Sequence, residues 1–277
     1  MNRLTLEKRA QILGLLVEGN SLRATSRLAD CSVITVMKFL VDMGTACAKY
    51  MDESMRNLPC KRVQVDEIWS FIYQKQDNVP VELRNQEGIG DIWTWTAIDA
   101  DTKLVPSFYV GRRDAGAANI FIQDLASRLK HRVQLTSDGH RPYLQAVEDA
   151  FQGNIDFAML IKLYGEDPDK GTRRYSPAKC NGTKATIISG RPDLKHISTS
   201  YAEANNLTMR MSMRRFTRLT NAFSKKLDNH IHAVAIHFMY YNFGRIHKTL
   251  RVTPAMEAGI SKHLWTLEEI VGLLDSN

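Results

Sequence analysis

KRVQVDEIWSFIYQK, residues 61–75, alternates apolar with polar side chains and is dense in Val, Ile, Trp, Phe and Tyr, the pattern of a β-strand with one face turned to a core. Upstream of it the period is helical, so a boundary is expected near residues 52–62. Downstream, DIWTWTAIDADTKLVPSFYVG (91–111) divides at Asp99-Ala100-Asp101 into two strands joined as a hairpin, with both aspartates serving the turn. DAGAANIFIQDLASRLKHR (114–132) opens with an N-cap candidate, Asp114, and carries Ile120, Phe121, Leu125 and Leu129 on one helical face. It feeds VQLTSDGHRPY (133–143), a short apolar run ending at Asp138-Gly139, where the glycine permits a sharp turn. Three strands, a crossover helix and a fourth strand predict an α/β fold built on a mixed sheet flanked by helices. Trp69, Trp93 and Trp95 alternate along strands and are expected in the core.

Residues 162–196, as in GEDPDKGTRRYSPAKCNGTK, are rich in Gly, Pro, Lys and Arg with no sustained period, so a loop or inserted subdomain is expected at about 150–196. Two long helices should follow, YAEANNLTMRMSMRRFTRLTNAFSKK (201–226) and LDNHIHAVAIHFMYYNFGRIH (227–247). A short C-terminal helix near Thr266 to Leu274 closes the chain, within residues 260–277.

The first 55 residues read as three helices. Leu6, Ile12, Leu13, Leu16 and Val17 space the first; Ser21 caps a short second one; a break at Cys31-Ser32 precedes the third. This is the pattern of an all-α helix-turn-helix domain over 1–55, with Ser32, Thr35 and Lys38 at the start of the helix that would read DNA. An ordinary three-helix bundle is the rival reading, because acidic and basic residues nearly cancel there.

Bulk properties bound the remainder. The chain has 277 residues, 44% apolar and 24% charged, the balance of a globular protein. Its formal charge of +7 fits a polyanionic partner such as DNA. No apolar run approaches the ~18 residues of a membrane span, and MNRLTLEKRAQ lacks a signal-peptide core, so a cytoplasmic location without membrane contact is expected. Cys31, Cys47, Cys60 and Cys180 are too scattered for a zinc or disulfide framework.

Metal-assisted phosphoryl transfer needs hard oxygen ligands from separate segments. Asp66 lies within the first strand and Asp138 at the end of the fourth; if those strands are neighbours, the two carboxylates can share a metal. A third ligand should come from a helix beside them, and Glu203 is the candidate. On an ideal helix Arg210, Arg214 and Arg218 fall near the face of Glu203. Between Ala204 and Leu227 stand Arg210, Arg214, Arg215, Arg218, Lys225 and Lys226, with no Asp or Glu, a set suited to DNA phosphates or, more plainly, a solvated basic face. Glu67 should point to the strand's opposite face and serve structure. His140 would cap its loop, and His230, His232 and His237 belong to an amphipathic helix.

VDEIWSF (65–71), TSDGH (136–140) and AEANNLTMRMSMRRFTRLTNAFSK (202–225) resemble the insertion sequence one family of bacterial transposases, and YYNFGRIHKTLRVTPAMEAGI (240–260) is similar to the end of many insertion-sequence transposase domains. The likeness runs over about residues 61–259. It implies an RNase H-like DDE catalytic domain over 56–259, with Asp66, Asp138 and Glu203 as ligands of two Mg²⁺ (or Mn²⁺) ions and Arg210 as a basic residue beside them. It further implies DNA cleavage and strand transfer, with element ends and target DNA as partners and a homo-oligomer as the active form. Two features depart from the family: no zinc ribbon with paired cysteines precedes the domain, and Asp138 and Glu203 lie unusually far apart. A transposase-derived DNA-binding regulator and a plain RNase H-like nuclease are the alternative functions.

Overall fold

The computed structural model describes residues 4–84, 86, 88–164, 180–217 and 221–275. Three helices open the chain, α1 (Leu6–Val17), α2 (Leu22–Leu28) and α3 (Val33–Ser54). Each starts on a hydroxyl: Thr5, Ser21 and Ser32 accept the amides of Lys8, Ala24 and Thr35, satisfying donors that a helix start leaves orphaned. α2 and α3 meet at 113° across a four-residue turn. Among the described residues no single helix is long and apolar enough to cross a membrane.

The sheet holds β1 (Arg62–Ile72), β2 (Gly90–Asp99), β3 (Ser107–Gly111), β4 (Gln134–Ser137), β5 (Asp156–Tyr164) and β6 (Cys180–Ser189), in the order β3-β2-β1-β4-β5-β6. β1, β2 and β3 form an antiparallel meander, β4 and β5 run parallel to β1, and β6 returns antiparallel along β5. Helices α4 (Ala115–Arg128) and α5 (Pro142–Phe151) supply the crossovers, and α6 (Ser200–Ser212), α7 (Leu227–Met239), α8 (Pro254–Glu257) and α9 (Leu267–Gly272) complete the chain. This is an α/β fold on a mixed sheet, as the strand pattern predicts, and its strand order is the RNase H-like one that the resemblance implies.

Strand parity assigns the faces. Trp95, opposite Glu67 in the β1–β2 ladder, packs its ring on Phe121 of α4 and Tyr143 of α5. The other face meets α6 and α7: the Gln64 side chain accepts the amides of Tyr201 and Ala202 at 2.8 and 3.2 Å, tying the start of α6 to β1. Phe108 packs against Phe238 of α7 there, with ring centroids 4.9 Å apart. Asp99 accepts the Thr102 amide and hydroxyl, so it does close the β2–β3 turn.

Residues 1–55 do not form a core of their own. α3 lies along α7 so closely that a Cβ on Gly44 would fall 2.4 Å from the His232 Cβ, and Arg9 of α1 pairs with Asp275 beyond α9 at 3.0 Å. Ile12, Val36 and Met43 share one continuous apolar core with Val65, Trp95 and Phe121. The boundary near residue 55 is therefore a change of element type, with apolar contact unbroken across it.

Two expectations are corrected. Most of the described part of the insertion placed at 150–196 is regular structure: it completes α5, supplies β5 and adds β6, while 165–179 lie outside the described residues. β6 is exposed along most of its length, so it has no buried face to impose an alternating pattern. The helix expected over 201–226 ends at Ser212. Met213 turns extended, and the buried Met213 and Phe216 anchor a short 3₁₀ turn, Arg214–Phe216. Arg214 consequently leaves the face of Glu203, and Arg218 lies outside the described residues.

Candidate metal centre

Gln64 pairs with Thr136 in the parallel β1–β4 ladder, and Asp66 and Asp138 stand two residues beyond on each side. β4 ends at Ser137, which leaves the space beside β1 open to carboxylates from either face of the sheet. Asp66 projects toward α6, where Asn206 Nδ2 donates to its Oδ2 at 2.8 Å and the Glu67 amide donates to Oδ1 at 2.8 Å. Asp138 Oδ1 accepts the His140 amide at 2.9 Å. Gly139 does not adopt a positive φ. What it permits is close approach, because a Cβ there would meet Ile161 of β5 at 3.1 Å.

Glu67 does lie on the opposite face from Asp66, as parity requires. Even so, oxygens of Asp66, Glu67 and Asp138 all fall within 4.8 Å of one another. Glu67 Oε2 accepts Arg113 Nε at 3.1 Å, and the same guanidinium reaches to 3.8 Å from Asp138 Oδ2. The buried Tyr143 hydroxyl stands against the Glu67 carboxylate and works to lower its pKa. Burial, reinforced by Asp138, pushes Asp66 up to about 6; burial with Asp138 and Asp66 nearby pushes Glu67 up to about 7. Crowded, dehydrated carboxylates of this kind are what a hard divalent cation neutralises.

Glu203, in the first turn of α6, opens onto the same cavity of about 1070 Å³ as Asp66 and Asp138. It lies on the same side of the sheet as Asp66, one helical turn from Asn206. Its own oxygens are engaged elsewhere: Thr199 Oγ1 donates to Oε1 and Lys162 Nζ to Oε2, each at 2.6 Å. Burial works to raise its pKa, but these two hydrogen bonds outweigh burial and lower it. Arg210, seven residues along α6, lines the cavity as well.

The expected DNA-contact residues divide. Ser32, Lys38, Arg214, Lys225 and Lys226 are exposed and Thr35 is half-buried, with Ser32 and Thr35 occupied in capping α3. Arg215 turns inward instead, donating to Ser224 Oγ and the Asn229 carbonyl at 3.1 Å, and burial lowers its pKa to about 10. It braces the turn after α6, so its assignment to DNA is corrected. His230 is fully buried and bonded to Ser224 at 2.9 Å, a structural histidine. His140 packs its ring on Trp95 and Tyr143 at the cavity's edge.

Sequence reasoning missed Arg113 and Lys162 as cavity residues and undervalued Glu67. The Asp-Glu adjacency was the one visible signal for Glu67. Nothing local marks Arg113 or Lys162, since each is brought in by sheet order.

No protein-family model matches the sequence, and no curated protein matches it. Solved structures similar in part include a Mos1 transposase paired-end complex with left transposon end (13% identity, TM-score 0.26, 57% of this chain and 60% of that one). A second is a piggyBac transposase synaptic complex with hairpin DNA (9% identity, TM-score 0.45, 99% and 71%), and a third a Mos1 mariner paired-end complex with Mn (13%, 0.30, 86% and 77%). This chain thus spans about three fifths of the first of these chains. At TM-scores below 0.5 the fold assignment rests on the strand order and pairing themselves.

Proposed function

We propose that this chain is a DNA transposase of the DDE type, which cuts a phosphodiester at the end of a mobile element and joins the freed 3′-hydroxyl to target DNA. The observation that carries the reading is the meeting of Asp66 and Asp138 on adjacent parallel strands, with Glu203 presented from α6 onto the same cavity. The donor set fits Mg²⁺ or Mn²⁺: oxygen ligands only, within 4.8 Å of one another, two of them raised in pKa by burial and by the neighbouring carboxylates. Asp66, Asp138 and Glu203 would hold the cations, with Glu67 as a further carboxylate beside Asp66 and Asp138. A bound divalent cation supplies positive charge against the negative charge that develops on phosphate oxygens during displacement.

The chain's own residues position the reactants. Asn206 fixes the Asp66 carboxylate, the His140 amide fixes Asp138, and Arg113 spans Glu67 and Asp138. Arg113 and Arg210 face the cavity as counter-charges for a DNA backbone. The exposed start of α3, with Lys38 outward, is the proposed reader of element ends, and a homo-oligomer is proposed because two ends must be held together.

Incubation of the chain and of Asp66→Asn with candidate element ends, target DNA and Mg²⁺ separates the readings. Joined products from the wild type alone are expected. Cleavage without joining would mean a nuclease, and end binding without cleavage a regulator.

A further inference from the structure

The ion pair between Lys162 and Glu203 is oddly placed for a stabilising contact. Lys162 lies on β5, opposite Thr183 of β6, and its ammonium crosses to α6 to meet Glu203 at 2.6 Å. Both partners are substantially exposed, 31% and 42%, and a pair this open contributes little to folding. Both line the cavity that holds Asp66 and Asp138. Glu203 has one oxygen on Thr199 and the other on this lysine, so a cation drawn to Glu203 must displace the ammonium from Oε2.

We propose that Lys162 is an exchangeable cap. Without a divalent cation it neutralises Glu203; when a cation takes that carboxylate, the ammonium turns to a phosphodiester of the DNA strand in the cavity. The proposal rests on the metal-centre reading above. Lysine suits such a role better than arginine, because its charge is compact, its three donors rotate freely and its four-carbon stem lets it change partner without moving β5. A phosphate in the cavity offers the displaced ammonium a new anion at the moment it loses the old one. Cation and DNA should therefore bind with positive coupling, each releasing Lys162 from the contact that opposes the other, and the coupling is reciprocal.

Lys162→Met keeps the stem and removes the charge. In the full chain without DNA, Mn²⁺ affinity measured calorimetrically should tighten about three- to five-fold, because the competing ammonium is gone. With Mn²⁺ present, the affinity of a short duplex of arbitrary sequence should fall, its salt slope should drop by about one contact, and the Mn²⁺ enhancement of DNA binding should shrink. Lys162→Arg, which keeps the charge, should not tighten Mn²⁺ binding. Unchanged or weaker Mn²⁺ binding in Lys162→Met overturns the proposal, as does equal tightening in both variants, which would indicate local repacking. Asp66→Asn distinguishes the two levels: if it leaves Mn²⁺ binding intact, the metal-centre reading itself fails. If it abolishes binding while Lys162→Met changes nothing, the exchange alone fails.

Discussion

Gly44→Ala tests the union of the N-terminal helices with the sheet and its flanking helices. In an isolated helix this change would stabilise by about 1 kcal/mol, because alanine loses less backbone freedom than glycine. Here the new methyl would sit 2.4 Å from the His232 Cβ, 2.6 Å from its Cα and 2.7 Å from its carbonyl oxygen. Carbon atoms prefer about 3.5–4.0 Å, so α3 and α7 must separate by roughly 1 Å. Two of the three clashing atoms are backbone, so no rotamer relieves them. Overpacking of this kind costs about 1–3 kcal/mol and should fall at the upper end, leaving a net loss of about 2 kcal/mol after the helix gain. At 2–4 °C per kcal/mol for a chain of this size, the melting temperature should drop by about 4–8 °C. Urea unfolding and thermal scans check this, with Gly182→Ala as control, since a Cβ there meets nothing within 4 Å. A Gly44→Ala protein as stable as the wild type, or more so, would refute the close packing of α3 on α7.

Three further outcomes follow from the same structure. Burial, with Arg215 beside one and Arg245 beside the other, depresses His230 to about 3 and His237 to about 4, from an ordinary 6.5. The unfolded chain binds these protons first, so stability present above pH 6.5 should be lost as pH falls toward 4, by up to about 1.4 kcal/mol per pH unit for each histidine. His237→Gln should flatten the slope of urea midpoint against pH, and an unchanged slope would count against the burial. Ser32→Ala should cost about 1 kcal/mol through loss of the α3 cap, whereas Lys38→Ala should leave stability alone and lower the salt slope of DNA binding by about one; the reverse pattern would remove α3 from the interface. Glu67→Gln should weaken Mn²⁺ binding without preventing folding, and retention of full affinity would exclude Glu67 as a ligand.

The fold was legible where elements have a buried face. β1, β2, α4 and the caps at Ser21 and Asp114 follow from period and capping chemistry alone. β6 was not legible, because an exposed edge strand carries no polarity alternation, and neither was the end of α6, which is decided by the tertiary burial of Met213 and Phe216. The site shows the same division. Asp66 and Asp138 could be placed from strand ends and sheet order, and Glu203 from a helix beside them. The reach of Glu67 around the end of β4, and the arrival of Arg113 and Lys162, depend on where strands stop and which lie side by side. Arg215 shows the converse error: a basic run reads as a surface until one member is needed to bond Ser224 and the Asn229 carbonyl inside.

The most direct test of the account is strand joining by Glu203→Gln in Mg²⁺, assayed with a pre-cut element end so that the joining step is read alone. The substitution preserves side-chain size and leaves an amide oxygen to accept from Thr199, while it removes the charge and with it the Lys162 ion pair. The account predicts a variant that folds, binds the element end with wild-type affinity and joins no detectable product. Joining at the wild-type rate would contradict it, since an uncharged amide is a poor ligand for a hard divalent ion.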